Sequence, residues 1–369
     1  MLLFLAGVAL QTPQPLAASA PPATATTWPT REGDTTLRNF RFRSGETLPE
    51  VRMHWTTLGQ PHRNSAGQID NAVMVLHGTG GSGQQFLQPQ FADGLYGRGQ
   101  PLDIRRFFII LPDNLGHGRS SKPSDGMRMR FPKYDYDDMI EAQRRMLVEG
   151  LGVTRLRLTM GTSMGCMHIF MWGEKWPDFA DALMPLACQP VEIAGLNRMW
   201  RQLAIDGIEA DPAWRGGDYR TQPMQGLRTA QSLLFVAGAA PLYYQAQYPT
   251  RVAAGAFAGE RVAGALAKLD ANDLIYQLDS SRNYNPWAGL EAIRAPLTWI
   301  NSADDFINPR NMDYPRIAVR RMKNACFRLI PESVDTRGHG THTWAKFWAT
   351  DLSALLARSE GRRPKHGSC

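Results

Sequence analysis

Residues 156–172 read LRLTMGTSMGCMHIFMW, and the fold is decided at the centre of this stretch. Leu156, Leu158 and Met160 alternate with Arg157 and Thr159, the period-two pattern of a strand. The run from Met164 to Trp172 is continuous enough to read as a helix. A Gly-x-Ser-x-Gly placed between the two makes a sharp elbow that lifts Ser163 out of the sheet as a nucleophile. The same geometry explains the glycines. Side chains at Gly161 and Gly165 would strike the neighbouring strand and helix, and Ser163 itself must take a strained backbone. The helix N-terminus offers unpaired amides and a favourable dipole to a developing oxyanion. A glycine-flanked turn without chemistry would carry the same five letters, but the strand before it and the helix after it favour the nucleophile.

Short apolar runs on either side extend the pattern. Residues 38–58 alternate in places and read as two antiparallel strands joined near Gly45. Ala72–Leu76, Arg106–Leu111, Ala182–Ala187, Pro296–Asn301 and Cys326–Ile330 read as buried strands, with helices over about Asp135–Glu149 and Thr343–Leu356. Strands alternating with helices imply a mostly parallel central sheet covered on both faces. Residues 191–285 differ, being rich in Ala, Gly, Arg and Trp, with helical patches at 193–208, 228–239 and 251–278. Lying between two strand groups of one sheet, this part reads as an inserted helical cap over the C-terminal strand ends. The core is then residues 35–190 and 286–358, with a tail at 359–369.

A nucleophilic serine needs a base, and the base an orienting carboxylate. Gly338-His339-Gly340 follows the Cys326–Ile330 strand by a short loop and supplies the base, His339. His342 is the alternative, expected at the start of the last helix. Asp304 and Asp305 directly follow the Pro296–Asn301 strand; either can serve as the acid, with Asp305 favoured and the other left to brace the turn. The oxyanion hole needs a second amide besides that of Met164. His77-Gly-Thr-Gly-Gly-Ser-Gly83, after the Ala72–Leu76 strand, suits that role through Thr79. Gly78–Gly83 also satisfies G-x-G-x-x-G, but Asp103, at about the distance a dinucleotide site expects of its acidic residue, precedes the following strand rather than ending it. His77 reads as a structural loop residue.

These residues resemble the α/β-hydrolase superfamily over roughly 35–358, in His77-Gly78, Asp113–Ser120 (DNLGHGRS), Gly161–Gly165, Asp305 and His339. Pro309, four residues after Asp305, is a frequent companion of the acid in that fold. Within the superfamily the stretch GTSMGCMH (161–168), with Trp172 and Trp176-Pro-Asp178, is similar to the homoserine O-acetyltransferase group. The resemblance implies an α/β-hydrolase fold and a Ser–His–Asp acyl-enzyme mechanism without metal or redox cofactor. Two departures point from transfer towards hydrolysis. Asp113–Ser121 has the pattern of general hydrolases where the transferases carry Asn-x-x-Gly and a Gly-Cys-x-Gly-Ser-Thr-Gly-Pro segment, and Thr162 and Cys166 stand where the transferases favour paired glycines. The expected activity is cleavage of a small-molecule carboxylic ester, with acyl transfer as the alternative.

Composition sets the remaining bounds. At 369 residues, 43% apolar and 20% charged, the chain is that of an ordinary globular protein. The net charge of +7 is spread over short clusters, with no basic helix or aromatic-basic module, so nucleic acid is not an expected partner. The apolar run Leu2–Leu10 and Ala18-Ser-Ala20 resemble a signal peptide over residues 1–20, although no basic residue precedes the run and the first charge is Arg31. Export to the periplasm or beyond is therefore expected, and it fits poorly with a cytoplasmic acetyl-CoA donor. Residues 21–34 read as a flexible spacer, and no run is long enough to span a bilayer. Cys166, Cys188, Cys326 and Cys369 lack metal-site spacing; two could pair, with Cys166 packed beneath the site. The cap's aromatic residues line either a substrate pocket or the cap's own core, and the cap offers a face for a homodimer.

Overall fold

The computed structural model describes residues 26–362; the proposed signal peptide, the first part of the spacer and Cys369 lie outside them. Eight strands form one sheet: β1 (Thr30–Arg41), β2 (Thr47–Leu58), β3 (Ala72–Leu76), β4 (Phe108–Pro112), β5 (Leu158–Thr162), β6 (Leu183–Leu186), β7 (Leu297–Ser302) and β8 (Ala325–Ile330). Their order is β1-β2-β4-β3-β5-β6-β7-β8. The β1–β2 and β2–β4 pairs are antiparallel and the others parallel. The expected spacer needs correction here. Its last residues are strand from Thr30, because β1 pairs with β2 from Thr30↔Leu58 to Arg41↔Thr47, around a turn in which Gly45 takes φ +95°.

Side-chain alternation divides the core. In β3 every residue is buried; Ala72, Met74 and Leu76 pack on one face of the sheet and Val73 and Val75 on the other. A strand buried on both faces must be apolar throughout, and AVMVL is. On the first face lie α2 (Tyr136–Arg145), α3 (Met164–Lys175) and α9 (Tyr314–Arg321), through residues such as Ile140, Phe170 and Ala318. On the second lie α1 (Pro89–Ala92) and α10 (Ala349–Ser359), through Phe91, Leu352 and Leu355. Helix α2 starts on a capping box, Asp135 and Asp138 each accepting the other's amide.

Between β6 and β7 the chain runs through five α-helices: α4 (Gly195–Glu209), α5 (Met224–Ala237), α6 (Pro241–Gln247), α7 (Arg251–Leu266) and α8 (Ala271–Asp279). Four of them share a core of their own. Trp200, Ala204 and Ile208 of α4 meet Leu227 and Ala230 of α5, Val262 and Leu266 of α7, and Leu274 and Leu278 of α8. Trp200 and Tyr219 are therefore internal to this insertion, whereas Phe235, Tyr243, Tyr244 and Phe257 form a cluster of tilted and edge-on rings and Met199 is exposed. Each of β3, β4, β5, β7 and β8 delivers its C-terminal end to one edge of the sheet, where a site forms in this architecture.

Candidate active site

Strand β5 ends at Thr162 and α3 starts at Met164, so Ser163 alone makes the turn, with φ +54° and ψ −110°. That left-handed backbone is costly for a residue with a side chain. The flanking glycines have no alternative. A Cβ on Gly161 would lie 2.4 Å from the backbone of Gly165, and one on Gly165 would lie 2.1 Å from the carbonyl oxygen of Leu76 in β3.

Three loops converge on the serine. Its Oγ donates to His339 Nε2 at 2.8 Å, and His339 Nδ1 donates to Asp305 Oδ2 at 2.8 Å. Asp305 follows β7 and is fully buried. Burial opposes its ionisation, but the facing imidazole and the hydrogen bonds to its oxygens outweigh that cost and hold its pKa below the ordinary value. Those bonds come from the amides of Ile307 (2.9 Å) and Asn308 (3.2 Å) and from Asn308 Nδ2 (2.9 Å). Asp304 points elsewhere. It accepts the Thr336 hydroxyl at 2.7 Å and the Gly338 amide at 2.9 Å, and the Ser302 hydroxyl bonds to its other oxygen.

The histidine loop has its own local logic. Gly338 takes φ +56°, and a Cβ there would meet the Ala239 carbonyl oxygen at 2.3 Å, so the end of α5 touches the residue before His339. Arg337 lays its guanidinium 3.6 Å above the Tyr243 ring of α6, a cation–π contact between loop and insertion. His342 is not at the start of the closing helix, as expected from sequence, because the segment coils into tight turns until α10 begins at Ala349. Its ring packs edge-on to that of His339 at 5.1 Å, and burial drives its pKa down to about 3.

The glycine-rich loop lies on the opposite side of the serine. A Cβ on Gly78 would approach Ser163 Cβ to 3.2 Å, so the backbone leading into Thr79 runs against the nucleophile. Among the described residues no hydrogen bond takes up the amides of Thr79 or Met164. Buried His77 locks the loop as a neutral imidazole, donating from Nδ1 to Gly78 O (2.8 Å) and accepting the Asn114 amide on Nε2 (3.0 Å). Asp113 ties the same loop to the next by accepting the amides of Gly83 and Arg119, both at 2.8 Å. After Gly83 the chain makes a short 3-10 turn, not the long helix that a pyrophosphate site would need.

A sequence profile of the alpha/beta hydrolase fold matches residues 71–317. The chain belongs to the α/β-hydrolase family. It is 30% identical over 278 residues to a probable acyltransferase of Methanothermobacter thermautotrophicus, covering 75% of this chain and 83% of that protein. It is 28% identical to the homoserine O-acetyltransferase of Pelobacter propionicus over 82% of this chain and 90% of that one. The fold of an acetylester hydrolase from Corynebacterium glutamicum superposes with a TM-score of 0.76 at 19% identity, covering 88% of this chain and 96% of that chain. This α/β-hydrolase family member thus has acyltransferases among its sequence relatives and an ester hydrolase among its structural neighbours.

The structure brings together Ser163, His339 and Asp305 by hydrogen bonds, with Thr79 on the glycine-rich loop and Met164 at the start of α3 beside the serine. Sequence reasoning missed the parts that hold these in place. Asn308 clamps both oxygens of Asp305, and Thr336 and Gly338 are gathered by Asp304. Cys166, in the first turn of α3, forms a disulfide with Cys188 just after β6, with Cα atoms 5.8 Å apart. Their places, one after the nucleophile and one after a strand end, were visible; their partnership needed the strand order.

Proposed function

We propose that this protein cleaves a carboxylic ester, or a related acyl bond, through an acyl-serine formed on Ser163. The observation that carries the reading is the continuous line of hydrogen bonds from Asp305 through His339 to Ser163 Oγ, ending beside two amides with no other partner. In the first half, Oγ attacks the carbonyl carbon while its proton passes to His339 Nε2, and Asp305 stabilises the imidazolium. The amides of Met164 and Thr79 receive the negative charge that grows on the carbonyl oxygen. The carbon–oxygen bond to the alcohol then breaks, the alcohol leaves with the proton from His339, and the acyl group stays on Oγ. In the second half His339 takes a proton from water, the hydroxide oxygen attacks the acyl carbon, and the acid is released as Oγ regains its proton.

The acyltransferase relatives support a second reading, in which a small alcohol rather than water meets the acyl-enzyme. Both share the first half, so products decide. The purified protein is given a short-chain acyl ester with and without L-homoserine, alongside a Ser163→Ala control. Free acid in both cases, lost in the control, supports hydrolysis; acyl-homoserine formed at the expense of free acid supports transfer. Unchanged activity in Ser163→Ala would remove both. The reading also includes export. The Cys166–Cys188 disulfide supports it, because such bonds persist chiefly in oxidising compartments.

A further inference from the structure

Helix α4 of the insertion carries two arginines one turn apart, Arg198 and Arg201. Arg201 is 2% exposed. Its Nε donates to Asn197 Oδ1 at 2.9 Å and its Nη1 reaches the Leu278 carbonyl at 3.5 Å, so every partner is neutral. Among the described residues no carboxylate pairs with either arginine. The groups facing Arg201 are the Tyr136 phenol, which burial keeps neutral, and the guanidinium of Arg198, which repels it; burial is the main force lowering the Arg201 pKa. Arg198 donates from Nη2 to Gln202 Oε1 at 2.7 Å, and its buried Nη1 has no partner. Two guanidinium groups close together, one wholly buried and neither offset by an anion, make a costly arrangement for a protein to keep.

The surrounding polar atoms share the deficit. The Tyr136 hydroxyl lies among Ser281, Thr79 and Arg201 yet forms no well-made hydrogen bond with any of them, the Ser281 hydroxyl being turned to the Leu278 carbonyl, and the Thr79 hydroxyl is likewise buried and unpartnered. Buried hydroxyls almost always find partners, so a group of orphans around one guanidinium marks a place where a ligand supplies the missing atoms. Thr79 follows Gly78, whose backbone runs against Ser163, which places the Thr79 end of this group beside the nucleophile.

Resting on the acyl-serine reading above, we infer that Arg201, with Tyr136, binds a carboxylate carried by the substrate, so that the preferred esters are anionic. A carboxylate presents two oxygens to the guanidinium fork and accepts from a phenol at the same time. A helix C-terminal carbonyl such as that of Leu278 would account for part of the guanidinium but leaves both hydroxyls and Arg198 Nη1 unexplained.

The test compares kcat/KM for two pairs of esters: ethyl hydrogen succinate against diethyl succinate, and 3-acetoxypropanoate against its methyl ester. The expected result is a preference of at least tenfold for the anionic member of one pair. Arg201→Gln is expected to erase that preference, Arg201→Lys to keep part of it, and Tyr136→Phe, which removes one oxygen from the protein's interior, to reduce it. Should Arg201→Gln not fold, Tyr136→Phe and Arg201→Lys still carry the comparison. A wild-type protein that favours neutral esters, turns over no anionic one, or keeps its preference in the variants overturns the inference. Fluorophosphonate labelling of Ser163 separates the two levels. Labelled protein without anionic preference refutes the carboxylate site alone, whereas unlabelled protein refutes the acyl-serine reading beneath it.

Discussion

Asp304 accepts the Gly338 amide at 2.9 Å, so the residue next to Asp305 anchors the backbone next to His339. The two adjacent carboxylates thus have separate roles. Asp305 orients the imidazole ring, and Asp304 holds the loop that carries it. The roles should separate in kinetics. Asp305→Asn is expected to cost about 10³- to 10⁴-fold in kcat, because the amide favours the wrong tautomer. Asp304→Asn keeps the ring's partner but weakens the bonds to Thr336 and Gly338. It should cost nearer tenfold in kcat and about 1–3 kcal/mol in stability. Steady-state kinetics with thermal unfolding of both variants checks this; equal kinetic losses would refute the division.

Ser163 holds a left-handed backbone, φ +54°, that glycine tolerates far better than any residue with a Cβ. Backbone strain at such a position is worth about 1–3 kcal/mol. Ser163→Gly should therefore be inactive yet unfold at higher temperature than Ser163→Ala, which keeps the Cβ and lacks the hydroxyl. Calorimetry of the pair decides, and an order reversed in Tm would show that the elbow stores no such strain.

Acid should destabilise this protein well before its exposed carboxylates titrate. Burial pushes His168 and His342 down to about 3 and lowers His77 and His117 as well. A base with a depressed folded pKa contributes stability above its unfolded value of about 6.5 and loses it as pH falls, since the unfolded chain alone takes up the proton. Asp138 and Asp273 act in the opposite sense. Burial raises both to about 6, so their contribution grows as pH falls from 6 towards 4, and Glu174, also raised by burial, adds to it. Each group changes stability by about 1.4 kcal/mol per pH unit inside its window. Four histidines outweigh these carboxyls, and between pH 6.5 and 6 the histidines act with little opposition. Tm is expected to fall steadily from pH 7 to pH 5, and below about pH 4 the protonation of Asp305 adds a further loss. A flat profile between pH 7 and 5 would mean that these imidazoles gain water or charge in the native state.

The sheet and the elbow were legible because both are local. AVMVL announces a strand buried on two faces, and GTSMG announces a turn that tolerates no side chain at its glycines. Chain order and loop position pointed to His339 and to either Asp304 or Asp305, and the preference for Asp305 came from Pro309 in the family resemblance. Other features depend on distances between segments far apart in sequence. That Asp304 serves Gly338, or that Arg201 lies beside Tyr136, cannot be read from either segment alone. The start of β1 at Thr30 was missed for a related reason. Thr30–Asp34 is polar and takes its strand conformation from pairing with β2, Thr30 with Leu58 and Asp34 with His54, not from apolar alternation. His342 was misplaced because the apolar run from Trp344 reads straight on into the closing helix, whereas the chain makes two tight turns between Gly338 and Phe347 before α10 begins at Ala349.

The Cys166–Cys188 disulfide joins the first turn of the nucleophile helix to the chain just beyond β6, closing a separation of 22 residues. A loop of that size should restrict the unfolded chain by about 3 kcal/mol, and the bond also pins α3 against the neighbouring strand end behind Ser163. Replacing both cysteines with alanine should lower Tm by several degrees. It should slow the acyl-serine reaction less than Asp305→Asn does, since the hydrogen bonds to His339 remain. The same bond tests export. Protein recovered from the native host should show the Cys166–Cys188 peptide oxidised and an N-terminus beyond Ala20, both readable by mass spectrometry after thiol alkylation. Reduced, alkylated Cys166 together with an intact Met1 would place the protein in a reducing compartment and return acetyl-CoA to consideration as its acyl donor.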